Sequence, residues 1–256
     1  MSSDAEIQLT REGHVARIVL SRPPHNFVDA EVMRRLADTL LALDDDHDCR
    51  AIVLASGVGA FCAGADFSGA GQGDVANDPA GFYVHAMKLY RNRKPIVAAV
   101  EGAAIGAGLG LALVADFRVT CPEARFSANF NRLGFHPGFG LSVTLPRLVG
   151  EQQAALLFYT GRRISGTDAV AIGLADELVA RAEVNARAMA LAQEIAASAP
   201  LAVETTRATL RDGLAERIAE VNQRELAIQR GQFLSEDFRE GVAAMAARRA
   251  PVFQRR

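Results

Sequence analysis

The strongest constraint on this chain is a pattern that occurs twice. An apolar, strand-like run gives way abruptly to glycine and alanine. "AIVLAS" (Ala51–Ser56) leads into "AFCAGADFSG" (Ala60–Gly69), and "PIVAAVEG" (Pro95–Gly102) leads into "AAIGAGLGLALVADF" (Ala103–Phe117). A chain that sheds its large side chains just after a buried strand bares its backbone, whose N–H groups can then meet a ligand. The second run continues as an apolar helix, and a helix N-terminus presents unpaired N–H groups at the positive end of its dipole. Two such loops at neighbouring strand ends can aim two N–H groups at one oxygen, which suits a carbonyl gaining negative charge. A dinucleotide loop fits less well. Gly106, Gly108 and Gly110 give G-x-G-x-G, and the third glycine of G-x-G-x-x-G falls on Leu111. For either loop alone, tight packing of a helix on a sheet explains the glycines equally well.

The rest of the chain sets these loops in an α/β frame. Ile7–Thr10 and Val15–Leu20 flank "REGH" and predict a hairpin. After the break "SRPPHN", Asp29 is placed to cap a helix with Val32, Leu36, Leu40 and Leu43 on one face. A small-residue polar loop, Gly69–Gly81, precedes a helix near Phe82–Arg91. Phe117–Thr120 predicts a third strand, helices dominate after Leu141 with Ser142 as a cap, and a short strand falls near Leu178. Strand–helix alternation followed by a helical tail predicts a parallel core sheet. The tail, from about Ala182, contains amphipathic helices without a catalytic cluster and reads as a packing or oligomerisation unit.

Composition excludes several classes. A net charge of −2 gives no general nucleic-acid or membrane signal. The longest apolar stretch, "AAIGAGLGLALVA", is too short and glycine-rich to span a bilayer. "MSSDAEIQLTREGH" has no apolar secretory core, so a cytoplasmic location is expected. Cys49, Cys62 and Cys121 lack zinc spacing and read as reduced thiols, with no metal site expected.

Five motifs in order, "AFCAGADF", "PIVAAVEGAAIGAGLGLALVADF", "LGFHPGFGLSVTLPRLVG", "TGRRISGTDAVAIGLADELV" and "SEDFREGVAAMAARRAPVF", resemble the crotonase (enoyl-CoA hydratase/isomerase) superfamily. The resemblance runs nearly end to end. It implies an α/β spiral of ββα repeats over residues 1–180, then a helical C-terminal trimerisation region over 181–256, assembled as a homotrimer or dimer of trimers. It implies acyl-CoA metabolism, such as that of fatty acids, with coenzyme A entering as part of the thioester substrate and no other cofactor bound. The two oxyanion-hole amides of the family fall on Ala65 and Ala107. The backbone of Ala63, Gly64 and Asp66 lines the path of the coenzyme, with Asp66 also able to brace the loop. Arg248, and Arg22 in "SRPP", are the positions for phosphate contacts.

The same resemblance fails at the proton-transfer groups. The glutamate positions of hydratases fall on Gly110 and Phe130, and the aspartate position of isomerases and dehalogenases falls on Gly138. None of these can move a proton, which argues against ordinary hydration. His136 in "GFHPGFG" is the replacement candidate for a proton carrier, or else a loop histidine bonded to backbone. His85 on the predicted second helix reads as a packing histidine. Asn129 and Asn131 flank Phe130 and could bind a polar acyl group, while Phe130, Phe135 and Phe139 suggest an apolar or ring-bearing one or simply core. Glu101 reads as a structural acid. The expected activity is therefore that of an acyl-CoA lyase or isomerase of this family that stabilises an enolate. Decarboxylation, thioester hydrolysis and C–C cleavage are the alternatives, as is a non-catalytic thioester-binding protein.

Overall fold

The computed structural model of the chain describes residues 6–66 and 78–256; most of the predicted loop Gly69–Gly81 lies outside them. Strands β1 (Ile7–Glu12) and β2 (Val15–Leu20) form the expected antiparallel hairpin. Asp29 caps α1 (Ala30–Asp44), its Oδ1 accepting from the Val32 N–H, and Val32, Leu36, Leu40 and Leu43 are buried. β3 (Ala51–Ser56), β4 (Ile96–Val100), β6 (Phe117–Thr120) and β9 (Glu177–Leu178) then join β2 in parallel, giving a six-stranded sheet of order β1-β2-β3-β4-β6-β9. β3 and β4 are buried throughout, which explains their unbroken apolar runs.

A second, smaller sheet runs beside it. β5 (Ala103–Ile105) pairs in parallel with β7 (Arg125–Ser127), and β7 antiparallel with β8 (Ile164–Ser165). Single parallel bridges extend the arrangement, Cys62 against Ala104 and Val28 against Ala65. The chain thus winds as a spiral. One turn lays β4 in the large sheet, β5 in the small one and then α3 (Ala107–Val114). The next lays β6, β7, a 3-10 turn (Asn129–Leu133) and α4 (Leu141–Thr160). α2 (Ala80–Leu89) follows β3, and α5 (Gly166–Ala171) follows β8.

The helical tail does more than append. α6 (Val184–Ala196) buries Val184, Ala188, Ala192 and Ala196 against β2, β3, β4 and β6, so it is a layer of the core. α7 (Pro200–Leu210) has no buried residue, whereas α8 (Leu214–Gln232) and α9 (Glu236–Ala246) fold back over α2, α4 and the 3-10 turn. The expected serine cap of α4 is absent. Gly140 occupies the cap position, and the buried Glu225 of α8 accepts from the N–H groups of Gly140 (2.8 Å) and Ser142 (3.1 Å). A carboxylate there satisfies orphan donors that a serine hydroxyl would otherwise take.

Candidate active site

The two glycine-rich loops meet because glycine lets them. Cys62 bonds to β5 on both sides, its N–H donating to Ala103 O (2.8 Å) and its carbonyl accepting from Ile105 N–H (3.0 Å). A β-carbon on Gly108 would lie 2.0 Å from Cys62 O, so only glycine permits α3 to approach this closely. Gly64 takes φ +122°, a conformation strained for other residues. Its carbonyl accepts from Val28 N–H at 3.0 Å. A trans peptide points the next N–H the opposite way, so Ala65 N–H faces away from Val28. Ala107 is the first residue of α3, after Gly106 (φ +55°). Gly106 N–H is taken by Ser127 O, and the first bond of the helix runs from Gly110 N–H to Gly106 O. Among the described residues neither Ala65 N–H nor Ala107 N–H has an acceptor.

Both residues line one cavity of about 320 Å³. Ala63, Gly64 and Asp66 line it too, with Phe82 and Tyr83 of α2, Asn129 and Phe130 of the 3-10 turn, and Phe233, Phe238 and Met245 from the tail. Phe130, Phe135, Phe233 and Phe238 pack ring to ring, with centroids 4.8–5.7 Å apart. A larger cavity of about 680 Å³ lies elsewhere, between Leu113, Leu148, Val203 and Leu210, and receives neither N–H group.

Two of the three positions that the resemblance aligns with carboxylates, Gly110 and Gly138, leave no room for a side chain. A β-carbon on Gly110 would lie 2.5 Å from Cγ of Phe139, whose ring is fully buried and whose backbone takes φ +64°. A β-carbon on Gly138 would lie 1.9 Å from the Tyr83 hydroxyl. Phe130, which the family resemblance aligns with a hydratase glutamate, has its ring 4% exposed. The Tyr83 hydroxyl donates to Gln229 Oε1 (3.1 Å), and burial holds its pKa above the ordinary phenol value. Burial likewise pushes the Cys62 thiol up to about 12, so it is no thiolate near neutrality.

The other expected contacts are scattered. His136 does not line the cavity; its Nδ1 lies 2.7 Å from Pro137 O, and its N–H donates to Gln232 Oε1. Arg22 is outside the lining, donating to Phe27 O and paired with Asp29 and Glu6. Arg248 is outside the lining, its backbone N–H donating to Met245 O. His85 of α2 is outside the lining, its Nδ1 buried without a partner among the described residues, and Glu101 accepts from Asn185. What sequence reasoning missed is α8. Gln229 and Gln232 hold Tyr83 and the backbone of His136, and Glu225 holds the loop around Gly140. The signal was available as a polar stripe, Asn222, Glu225, Gln229 and Gln232, at helical spacing.

Residues 10–256 match the family model described as Enoyl-CoA hydratase/isomerase. Curated relatives include carnitinyl-CoA dehydratase of Salmonella typhi, 34% identical over 98% of each chain, and that of Proteus mirabilis, 33% identical over the same share. Among solved structures, enoyl-CoA hydratase/isomerase of Pseudoalteromonas atlantica superposes with a TM-score of 0.88 at 29% identity, covering 97% of this chain and all of that one. OdaA of Pseudomonas aeruginosa gives 0.85 at 28% identity, covering 94% and 98%.

Proposed function

Because this chain belongs to the enoyl-CoA hydratase/isomerase family, we propose that it is an acyl-CoA enzyme that binds a thioester through Ala65 and Ala107 and stabilises the enolate formed there, in a reaction requiring no protein carboxylate. The observation behind this reading is a pair of N–H groups on one cavity without an acceptor among the described residues, with Phe139 and the Tyr83 hydroxyl occupying the space beside Gly110 and Gly138 and with Phe130 at the third position. The thioester oxygen accepts from both N–H groups, and the charge it gains as the α-carbon becomes nucleophilic meets the positive end of α3. When an acyl group carries a carboxylate on its α-carbon, breaking the Cα–CO₂⁻ bond releases CO₂ and leaves the electron pair in the enolate with no proton removed from carbon; a water molecule then protonates the α-carbon, so decarboxylation is the reaction this site suits best. Hydration needs a group to deprotonate water and another to deliver a proton, and Gly110 and Phe130 supply neither. His136 is left out of the proton path, since its ring faces Pro137 O. The coenzyme runs past Ala63, Gly64 and Asp66, with Arg22 and Arg248 at the phosphate end and no further cofactor. The names of the curated relatives, carnitinyl-CoA dehydratases, support a thioester substrate. We read the protein as a cytoplasmic homotrimer or dimer of trimers; among the described residues no helix is long and apolar enough to cross a membrane.

The test uses Ala107→Pro. Proline suits the first position of a helix, where its missing N–H costs no intrahelical bond. The substitution therefore deletes one oxyanion donor at little cost to the fold. Malonyl-, enoyl- and aryl-CoA thioesters are offered to parent and variant, and products are followed by mass spectrometry. The expected result is turnover of a carboxylated thioester by the parent and a fall of roughly 10²–10³-fold in the variant. Unchanged turnover by a folded variant removes Ala107 from the site. Thioester binding without turnover of any substrate favours a binding protein.

A further inference from the structure

The polar side chains lining the cavity, among the described residues, are Asp29, Asp66, Asp78, Tyr83 and Asn129. Four of them are committed. Asp29 caps α1 and pairs with Arg22 at 2.9 Å, Asp78 pairs with Arg230 at 2.8 Å, and Tyr83 donates to Gln229. Asp66 is also engaged. Of these, only the Asn129 carboxamide has no hydrogen-bond partner among the described residues, although it can donate twice and accept twice. Its backbone is pinned by close packing, a β-carbon on Gly161 falling 3.3 Å from Asn129 Cα. Its Oδ1 lies 3.2 Å from where a β-carbon on Gly106 would stand, next to the Ala107 donor, with the Phe130 ring on the same side. Asn129 is only partly buried, so its amide can exchange solvent for a ligand atom, and ligand cavities fix orientation through a few such placed groups.

We infer that Asn129 is a specificity-determining residue, which hydrogen-bonds an oxygen substituent carried on the acyl chain close to the thioester. The substrate is then an oxygenated acyl-CoA and not a plain hydrocarbon one. This assignment rests on the thioester reading above and narrows it. The remaining acyl surface meets Phe130, Leu133, Phe135 and Phe82, so the polar group is local and the rest of the acyl chain is apolar.

Calorimetric titration of the full chain with butyryl-CoA, each enantiomer of 3-hydroxybutyryl-CoA, and acetoacetyl-CoA tests it. The parent binds at least one oxygenated thioester about tenfold or more tightly than butyryl-CoA, the scale of one well-formed buried hydrogen bond. Asn129→Leu and Asn129→Ala erase that preference and leave butyryl-CoA binding within about twofold. Equal affinities in the parent overturn the assignment whatever the variants do. A preference that survives in both variants also overturns it, by moving the contact elsewhere. If no thioester binds the parent, the thioester reading fails and this assignment falls with it.

Discussion

At the scale of single residues, the proposed site is set apart from a hydratase's by what fills the space beside two glycines. Phe139 fills the space beside Gly110, and the Tyr83 hydroxyl fills the space beside Gly138. Gly110→Ala therefore forces its methyl group into a buried ring, and we expect a loss of about 1–3 kcal/mol, typical of overpacking, read as a lower Tm. Gly110→Glu with Phe130→Glu should not restore hydration, because the new side chain has nowhere to go. Adding Phe139→Gly opens that space and relieves φ +64° at a non-glycine residue. The triple variant should be more soluble than the double variant and gain hydratase activity over the parent, measured as loss of enoyl absorbance. A double variant that folds and hydrates as well as the triple one would show that Phe139 does not block the position. The glycines at 110 and 138 were visible in the sequence. The atoms that replace their side chains were not, because Phe139 and Tyr83 reach them through space from a strained turn and from α2.

At the scale of elements, α9 is tied to the chain end by charge. Glu240 accepts from Arg249 Nη1 (2.5 Å) and Nη2 (2.7 Å) and from Val252 N–H (2.7 Å). The Arg249 hydrogen bonds first, and Val252 N–H second, hold its pKa at about 2 against an ordinary 4.5. A depressed carboxylate contributes its tethering fully above its unfolded pKa and loses it as pH falls through the folded one. The tail beyond Arg249 should therefore loosen between about pH 4.5 and 2, and Glu240→Gln should loosen it already at pH 7. Faster hydrogen exchange of the Val252 amide reads this, and unchanged exchange in the variant would contradict it. The large-sheet strands β2, β3 and β4 were legible because they are long, apolar and buried. β5, β7 and β8 were not, since two or three residues carry no alternation and are strands only by virtue of partners elsewhere in the chain. The tail was legible as helices but not as a cover for the cavity, because burial of Phe233 and Phe238 depends on where α8 turns.

At the scale of the whole molecule, a spiral core and a folded-back tail leave apolar surface uncovered. Leu201 and Leu210 of α7 are 77% and 71% exposed, beside the larger cavity. Such a patch suits burial against further copies of the chain, and sedimentation equilibrium should give three or six times the 27.3 kDa of one chain. A stable monomer at micromolar concentration would remove the trimer from this account. The central claim, however, concerns chemistry: the backbone donors bind a thioester while the filled carboxylate positions prevent water addition. Crotonyl-CoA tests both halves at once, by titration calorimetry and by loss of enoyl absorbance on the same preparation. The account predicts saturable binding with hydration slower by about 10²-fold or more per missing acid–base group than in a hydratase. Turnover on the order of 10 s⁻¹, as for an ordinary enzyme, or no binding at all, would contradict it.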